Sequence, residues 1–187
     1  TGNIVRGIPL DADHEFAGSF LGLLNPYALL MGVTTGLLFA MHGGIYLAMK
    51  TDGELNKIIS GWIPRLIGFF LASYFLFNLY TLVEVPWVLD TVRARPYVFA
   101  VVILNVLIVL IIPRAIHNGR DFNAFLSSCA AMGLMMATFG ITYFPNMVLS
   151  SPTLENSLTI YNAASSQQTL GIMLIIALIG VLLVLAY

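Results

Sequence analysis

Histidines are the residues of this chain best suited to bind a metal or to move a proton, and one of the three, His42, lies in a long apolar stretch. An ionisable side chain at membrane depth is costly, so it indicates either a function or a hydrogen bond to a neighbouring helix. A haem held by two imidazoles needs a second histidine on a facing helix, but His14 and His117 fall in polar segments. We therefore rank interhelical hydrogen bonding or packing first for His42, proton or quinone chemistry second and haem ligation last.

Other patterns that carry chemistry are absent from the sequence. The single cysteine, Cys129, allows no internal disulfide, and no group of Cys and His has the spacing of zinc ligands. There is no glycine-rich phosphate loop, no HExxH, no G-x-S-x-G and no pair of carboxylates inside an apolar stretch. A net charge of -1 offers no basic surface to nucleic acid. The residues alone thus predict no active site within this chain.

Three further polar residues lie inside or at the ends of apolar stretches. Glu84 stands just before Pro86 and Trp87, which is typical of an interfacial carboxylate beside a tryptophan anchor, with a role in proton exit as the alternative. For Asn78 and Asn105 we expect amide hydrogen bonds between helices.

The amino-acid composition indicates which class of protein contains these residues. Hydrophobic residues make up 59% of the 187 residues and charged residues 9%, whereas a soluble domain carries about 25% charged residues. With 8 Lys and Arg and 9 Asp and Glu, the chain could not cover a surface that faces water. The composition therefore predicts a polytopic membrane protein.

Five stretches are long and apolar enough to cross a bilayer as helices, because a hydrocarbon core of about 30 Å needs roughly 20 apolar residues. Barrel strands would alternate apolar and polar residues, but residues 101–104 and 108–112 are continuously apolar. The fold class is therefore an all-α integral membrane protein, with a four-helix bundle and one further helix. The predicted spans are 20–48, 64–84, 97–113, 123–147 and 168–187. The corresponding domains are a loop at 1–19, the bundle at 20–147, a loop at 148–167 and the final helix at 168–187.

The basic residues of the loops predict an orientation, since cytoplasmic loops carry an excess of Lys and Arg. The loops that follow spans 1 and 3 contain five of them: Lys50, Lys57, Arg65, Arg114 and Arg120. The opposite side has three: Arg6, Arg93 and Arg95. The bias places the N-terminus outside and the C-terminus in the cytoplasm.

Span 1 carries two features that are typical of helix ends and helix contacts. Asn25 and Pro26 fit the start of a helix, where proline loses no hydrogen bond. Gly32 and Gly36 have a spacing that permits close contact with another helix.

The last loop and the last span are also distinctive. Residues 150–169 are rich in Ser, Thr and Asn, with interspersed apolar residues, so we expect them to fold on the membrane surface as a cover or, alternatively, to bind a partner or a lipid-like ligand. Thr159, or the pair Ser165 and Ser166, is expected to cap the last helix. On that helix Ala177 and Gly180 share a face that permits close approach of another backbone, while Gly171 is expected to lie against span 4 or the loop.

Several segments, taken together, resemble subunit II of cytochrome bd quinol oxidases. Residues 20–30 resemble the start of a helix in the middle of that subunit, and residues 42–47 and 50–55 resemble its end. Residues 2–9 are similar to the preceding outer loop, and residues 150–151, 156–163 and 165–170 are similar to the last outer loop. The segments follow the family's order across nearly the whole chain, whereas spans 2 and 3 match in hydropathy alone.

The resemblance implies that the chain is the C-terminal half of such a subunit, the N-terminal bundle and its acidic residues being absent. It implies a complex that oxidises quinol and reduces oxygen to water in a bacterial or archaeal plasma membrane. The haems would lie in the partner, subunit I, while this chain would bind none and would contact lipid and, as a structural element, quinone. The resemblance assigns no catalytic, cofactor-binding or metal-binding residue to this chain. Candidates for structural or partner contacts are Asn25, Pro26, Gly36, His42, Tyr46, Ser151, Asn162, Ala177 and Gly180.

Two other classes remain as alternatives: a secondary transporter or permease fragment, and a quinone-binding anchor of another respiratory complex. A transporter of this kind needs inverted repeats and broken helices with polar groups at the midplane, and spans 2, 3 and 5 have no central charge and no Gly or Pro break at the midplane. Because the chain starts without Met and ends in an apolar run, we expect it to be a fragment of a longer protein.

Overall fold

The computed structural model describes residues 2–85, 87–151 and 153–186. Our predictions for Thr1, Pro86, Pro152 and Tyr187 therefore lie outside the described residues. The α-helices in that part are α1 (Gly2–Arg6), α2 (Pro26–Lys50), α3 (Gly53–Glu84), α4 (Trp87–Ala94), α5 (Pro96–His117), α6 (Asp121–Tyr143) and α7 (Gln167–Ala186). Two short strands, β1 (Asn146–Val148) and β2 (Leu158–Thr159), pair antiparallel.

Five of these helices, α2, α3, α5, α6 and α7, are long and apolar enough to cross a membrane. The predicted all-α membrane fold is therefore confirmed, but several boundaries differ. Helix α2 begins at Pro26 rather than at residue 20, because Asn25 has an extended backbone that ends the preceding short 3-10 turn at Leu21–Leu23. Helix α5 continues past Pro113 to His117.

The start of α3 was wrong in the sequence-based prediction. The helix begins at Gly53, well before residue 64, and its 32 residues extend about 48 Å, which exceeds a hydrocarbon core of about 30 Å. The predicted boundary rests on charge, but Glu54 and Lys57 lie within the helix and pair at 3.1 Å across one turn. Charged residues end the part of a helix that can lie in lipid, not the helix itself.

The end of α6 was also wrong. The helix ends at Tyr143, not at residue 147, because Pro145 cannot extend it. Residues 146–148 instead form β1, which pairs with β2, and neither strand was predicted. Helix α4 was not predicted either, since its eight residues include Asp90 and Arg93 and lie between two spans.

The four-helix bundle is made of two antiparallel hairpins, α2 with α3 and α5 with α6, joined by residues 51–52 and 118–120. The hairpins meet mainly along α2 and α6, while α3 contacts α5 only lightly. The largest side chains buried between them are Met41, Ile45, Ile63, Phe70 and Ile112. Both short connections border one polar cleft, so the basic loops lie together at one end of the bundle, which we call the hairpin end.

The opposite end of the bundle is closed by a cap, which comprises α1, residues 7–24, α4 and residues 144–151 and 153–166. Its two main segments are far apart in sequence, yet Ile8 donates its backbone N–H to Leu149 and accepts one from Ser151, each at 2.9 Å. The Tyr143 hydroxyl, at the end of α6, donates to the Val5 carbonyl at 2.6 Å. The cap is thus part of the packed structure.

Helix α7 stands apart from the bundle. None of its described residues is buried, and its large apolar side chains are exposed along its whole length. A Cβ placed on Gly171 would meet no atom within 4 Å. The expectation that Gly171 lies against span 4 or the loop was therefore wrong; an all-apolar helix gives no signal of which neighbour it contacts.

Candidate functional site

His42 joins α2 to α6 in the half of the bundle nearer the hairpin end. Its Nδ1 lies 2.8 Å from the Ser128 hydroxyl oxygen, and its half-buried ring stacks on Phe125 with centroids 5.0 Å apart. The Ser128 hydroxyl in turn donates to the Phe125 carbonyl at 2.7 Å. This geometry agrees with the interpretation that we ranked first for His42, a hydrogen bond between two helices.

The surroundings of His42 do not fit a haem with two imidazole ligands. His14 lies in the cap, where its Nδ1 is 2.9 Å from the Asn156 carbonyl, and His117 is the last residue of α5 at the hairpin end. Among the described residues, no three His, Cys, Asp or Glu side chains are grouped so as to hold a metal ion.

Asn105 is a buried polar residue of α5 that lies between the helices of the bundle. It is 2% exposed, donates to the Ala131 carbonyl of α6 at 2.8 Å and accepts from the Tyr74 hydroxyl of α3 at 3.1 Å. It therefore ties three helices together, which confirms the predicted interhelical bonding. The same prediction was wrong for Asn78, whose amide donates at 2.7 Å to the Tyr74 carbonyl of its own helix; a carbonyl four residues earlier is within reach of any short polar side chain in a helix.

Two hydroxyl pairs that we did not predict link α2 to α3. The Thr34 and Ser73 hydroxyls are 2.6 Å apart, and the Tyr27 hydroxyl is 3.0 Å from that of Thr81. Thr34 and Thr81 also donate to carbonyls four residues earlier. The sequence shows hydroxyl residues inside otherwise apolar spans, which could have indicated such pairs. It does not show which of these residues face each other.

A cavity of about 240 Å³ lies among α2, α3, α5 and α6, in the half of the bundle nearer the cap. Its wall is mainly apolar and aromatic, with Phe70, Phe77 and Phe139 among the lining residues. Tyr27, Thr34 and Asn105 add polar atoms, which are already hydrogen-bonded within the chain. Such a cavity can hold an apolar chain or ring; it has no nucleophile–base pair for a reaction.

Asn25 and Pro26 form the predicted helix start. The Asn25 side-chain oxygen accepts from the Ala28 N–H at 2.9 Å, Pro26 occupies the first helical position, and the Asn25 amide donates to the Asn3 side chain at 2.6 Å. The capping role is confirmed, and it also connects α2 to the cap.

Gly36 does not contact another of the helices that the structure describes. A Cβ at Gly36, or at Gly32, would meet no atom within 4 Å. The expectation of close helix contact is therefore not met within residues 2–186, because α3 and α6 pack on other sides of α2.

The remaining candidates lie on the surface. Tyr46 is 44% exposed and its ring lies 5.7 Å from that of Phe125. Ser151 is held through its backbone by Ile8. Asn162 accepts from the Thr159 N–H at 2.6 Å. Ala177 is exposed and Gly180 half-exposed on α7.

Two smaller predictions concern the cap. Ser166 caps α7, since its hydroxyl accepts from the Thr169 N–H at 3.3 Å, whereas Thr159 lies in β2. Glu84 accepts from Arg6 at 3.1 Å, and this partly exposed pair connects the end of α3 to α1.

The fold and the site together define a polytopic helical membrane protein that has a polar-centred bundle and an unpartnered final helix. The sequence profile of the family described as cytochrome bd terminal oxidase subunit II matches residues 1–187. The chain belongs to this family.

Curated relatives agree with the profile. The chain is 30% identical over 215 aligned residues to the probable cytochrome oxidase subunit 2 of Haemophilus influenzae, covering 100% of this chain and 57% of the relative. It is 27% identical over 216 residues to the cytochrome bd-I ubiquinol oxidase subunit 2 of Escherichia coli K12, with the same coverage. It is 25% identical over 175 residues to the cytochrome bd ubiquinol oxidase subunit 2 of Bacillus subtilis, covering 94% of this chain and 51% of the relative. The chain thus spans a little over half the length of the first two.

Proposed function

We propose that this chain is the non-haem partner subunit of a cytochrome bd-type quinol oxidase, corresponding to the C-terminal half of subunit II. It supports quinol oxidation and the reduction of oxygen to water by a haem-bearing subunit I. The family match over residues 1–187 carries the proposal. It disfavours the transporter and the anchor of a different respiratory complex.

The contact with subunit I is proposed to involve α7, through the face of Ala177 and Gly180. An apolar helix with no buried residue can pack against a partner at little cost, since small residues let two backbones approach closely. In this arrangement the chain shields the haems of subunit I from lipid and supplies no catalytic residue of its own.

The cavity among α2, α3, α5 and α6 is proposed as the place for a structural quinone or its apolar tail. Aromatic rings line it, and apolar pockets with a few polar groups are typical of such ligands. We propose that such a ligand enters from the lipid between α3 and α5, which contact each other only lightly.

The proposed location is the plasma membrane of a bacterium or archaeon, with the hairpin end in the cytoplasm and the cap outside. The five basic residues of the short-loop side support this orientation.

Purification of a tagged chain from membranes of its native host tests the proposal. We expect a haem-containing subunit to co-purify, together with quinol-dependent oxygen consumption that is lost when the gene is deleted. Purification in good yield without any haem protein, or unchanged oxygen consumption in the deletion strain, would refute it.

A further inference from the structure

The polar cleft at the hairpin end lies between the two short connections of the bundle, and we call it the hairpin cleft. Its volume is about 690 Å³, and its wall includes residues 51–52 of one connection and residues 119–120 of the other. Ligand pockets typically have volumes of about 300–1,000 Å³. The hairpin cleft is therefore large enough to hold a small polar group.

Charged side chains of both signs line the hairpin cleft without pairing with each other. Asp52, Arg120 and Asp121 all belong to its wall, yet among the described residues Arg120 forms an ion pair with neither aspartate. The Asp52 carboxylate does not cap α3, although it precedes that helix directly. The side-chain amide of Asn123, also in the wall, has no hydrogen-bond partner in the part of the chain that the structure describes. These polar groups are available to a ligand.

The charges of the wall favour a ligand that carries both signs. A guanidinium group binds phosphate through paired N–H donors, and a carboxylate accepts hydrogen bonds from an ammonium group. Asp52 and Asp121 against Arg120 leave one negative charge in excess, so a purely anionic ligand would be repelled by the carboxylates. A zwitterion with one phosphate and one ammonium group satisfies both kinds of side chain.

The position of the hairpin cleft favours a lipid as the source of this zwitterion. The cleft lies where α2 ends and α6 begins, which corresponds to the headgroup layer outside a hydrocarbon core of about 30 Å. Phe122 in its wall is 63% exposed, and Leu126, one turn further along the same side of α6, is 57% exposed. Acyl chains can lie along these two side chains while the headgroup occupies the cleft.

We propose that the hairpin cleft binds the headgroup of phosphatidylethanolamine. The phosphate accepts hydrogen bonds from Arg120 and the Asn123 amide, and the ammonium group donates to Asp52 and Asp121. A primary ammonium has three N–H donors, whereas the quaternary ammonium of phosphatidylcholine has none, so the carboxylates distinguish the two lipids. The site is independent of the proposed oxidase function, since it needs only the membrane-spanning bundle, and it is separate from the cavity nearer the cap.

A competition between lipids tests the proposal. The tagged chain, with every protein that co-purifies, is incubated in detergent with equal amounts of phosphatidylethanolamine, phosphatidylcholine and phosphatidylglycerol that have identical acyl chains. The lipid retained after washing is measured by mass spectrometry. We expect about threefold to tenfold more phosphatidylethanolamine than either competitor, the effect of one charge-assisted hydrogen bond. Equal retention of phosphatidylethanolamine and phosphatidylcholine, or a preference for phosphatidylglycerol, would overturn the proposal.

Substitutions of the two kinds of side chain should give different patterns. Asp52→Asn combined with Asp121→Asn should bring the two zwitterionic lipids to within about twofold of each other. Arg120→Gln should lower the retention of both, because both carry the phosphate. Asp13→Asn in the cap and Arg114→Gln on α5 change exposed residues outside the cleft wall and serve as matched controls. An undiminished preference in the double aspartate variant, or the same losses in the controls, would contradict the site.

Free phosphoethanolamine distinguishes a lipid from a soluble ligand with the same headgroup. At the concentration at which phosphatidylethanolamine displaces a labelled copy of itself, we expect phosphoethanolamine to displace less than a tenth as much, because it has no acyl chains to lie along Phe122 and Leu126. Equal displacement by the two would show that the cleft binds a water-borne ligand, and would overturn the assignment to a lipid.

Discussion

Polar side chains inside the spans connect helices at a few defined points. Asn105 bonds to α3 and α6 at once, Thr34 bonds to Ser73, and His42 bonds to Ser128. Because lipid is as apolar as the side chains packed between the helices, hydrophobicity does not drive these helices together. Close packing and these few hydrogen bonds therefore determine which faces meet.

A comparison of the two asparagines tests this view. Asn105→Ala removes bonds to two other helices, from the Tyr74 hydroxyl and to the Ala131 carbonyl, so we expect a loss of about 1–2 kcal/mol of bundle stability. Asn78→Ala removes a bond to its own helix and should cost clearly less. Thermal unfolding of each variant in detergent, followed by circular dichroism, measures the difference. Equal losses would show that the bonds of Asn105 do not hold the helices together.

At the scale of elements, hydropathy alone was sufficient to predict the five spanning helices, because a run of apolar residues has few alternatives in a membrane. Hydropathy alone did not predict the residues at which these helices begin and end. Helix α3 starts at Gly53, beyond the point at which it leaves lipid, and the end of α6 depends on Pro145. The cap could not be predicted, since it depends on Ile8 pairing with Leu149 and Ser151, residues that are distant in sequence and carry no pairing signal. The same holds for the site: sequence indicates that His42 is unusual but not that Ser128 faces it.

The unpartnered helix α7 leads to a prediction of its own. Ala177→Phe combined with Gly180→Phe adds bulk on the face proposed to meet subunit I, and we expect the two subunits to separate. Leu178→Phe combined with Leu182→Phe changes exposed positions on other parts of the helix, and should be tolerated. Co-purification with a tagged subunit I measures both. Retention of the complex by the Ala177 and Gly180 double variant would exclude that face.

The whole molecule has two unlike ends. The hairpin end has two short, charged connections, and the cap end has a folded layer in which residues 2–24 pack with residues 144–151 and 153–166. In the orientation that we propose, the basic end faces the cytoplasm.

Cysteine labelling from each side of the membrane tests this orientation. In a Cys129→Ala background, single cysteines at Lys57 and His117 should react only from the cytoplasmic side, and those at Ser151 and Asn162 only from outside. These four positions lie at the two ends of the bundle, so the two pairs should always differ. Labelling of position 57 from outside would reverse the topology.

We propose that this chain belongs to a haem enzyme but holds no haem itself. A reduced-minus-oxidised absorption spectrum of the purified chain, recorded beside that of the complex purified with subunit I, tests it most directly, because a two-histidine haem site needs a second axial ligand that His14 and His117 do not provide. We expect haem bands in the complex, unchanged by His42→Ala once corrected for yield, and none in the chain alone. A stoichiometric Soret band in the chain alone that disappears in His42→Ala would contradict the account.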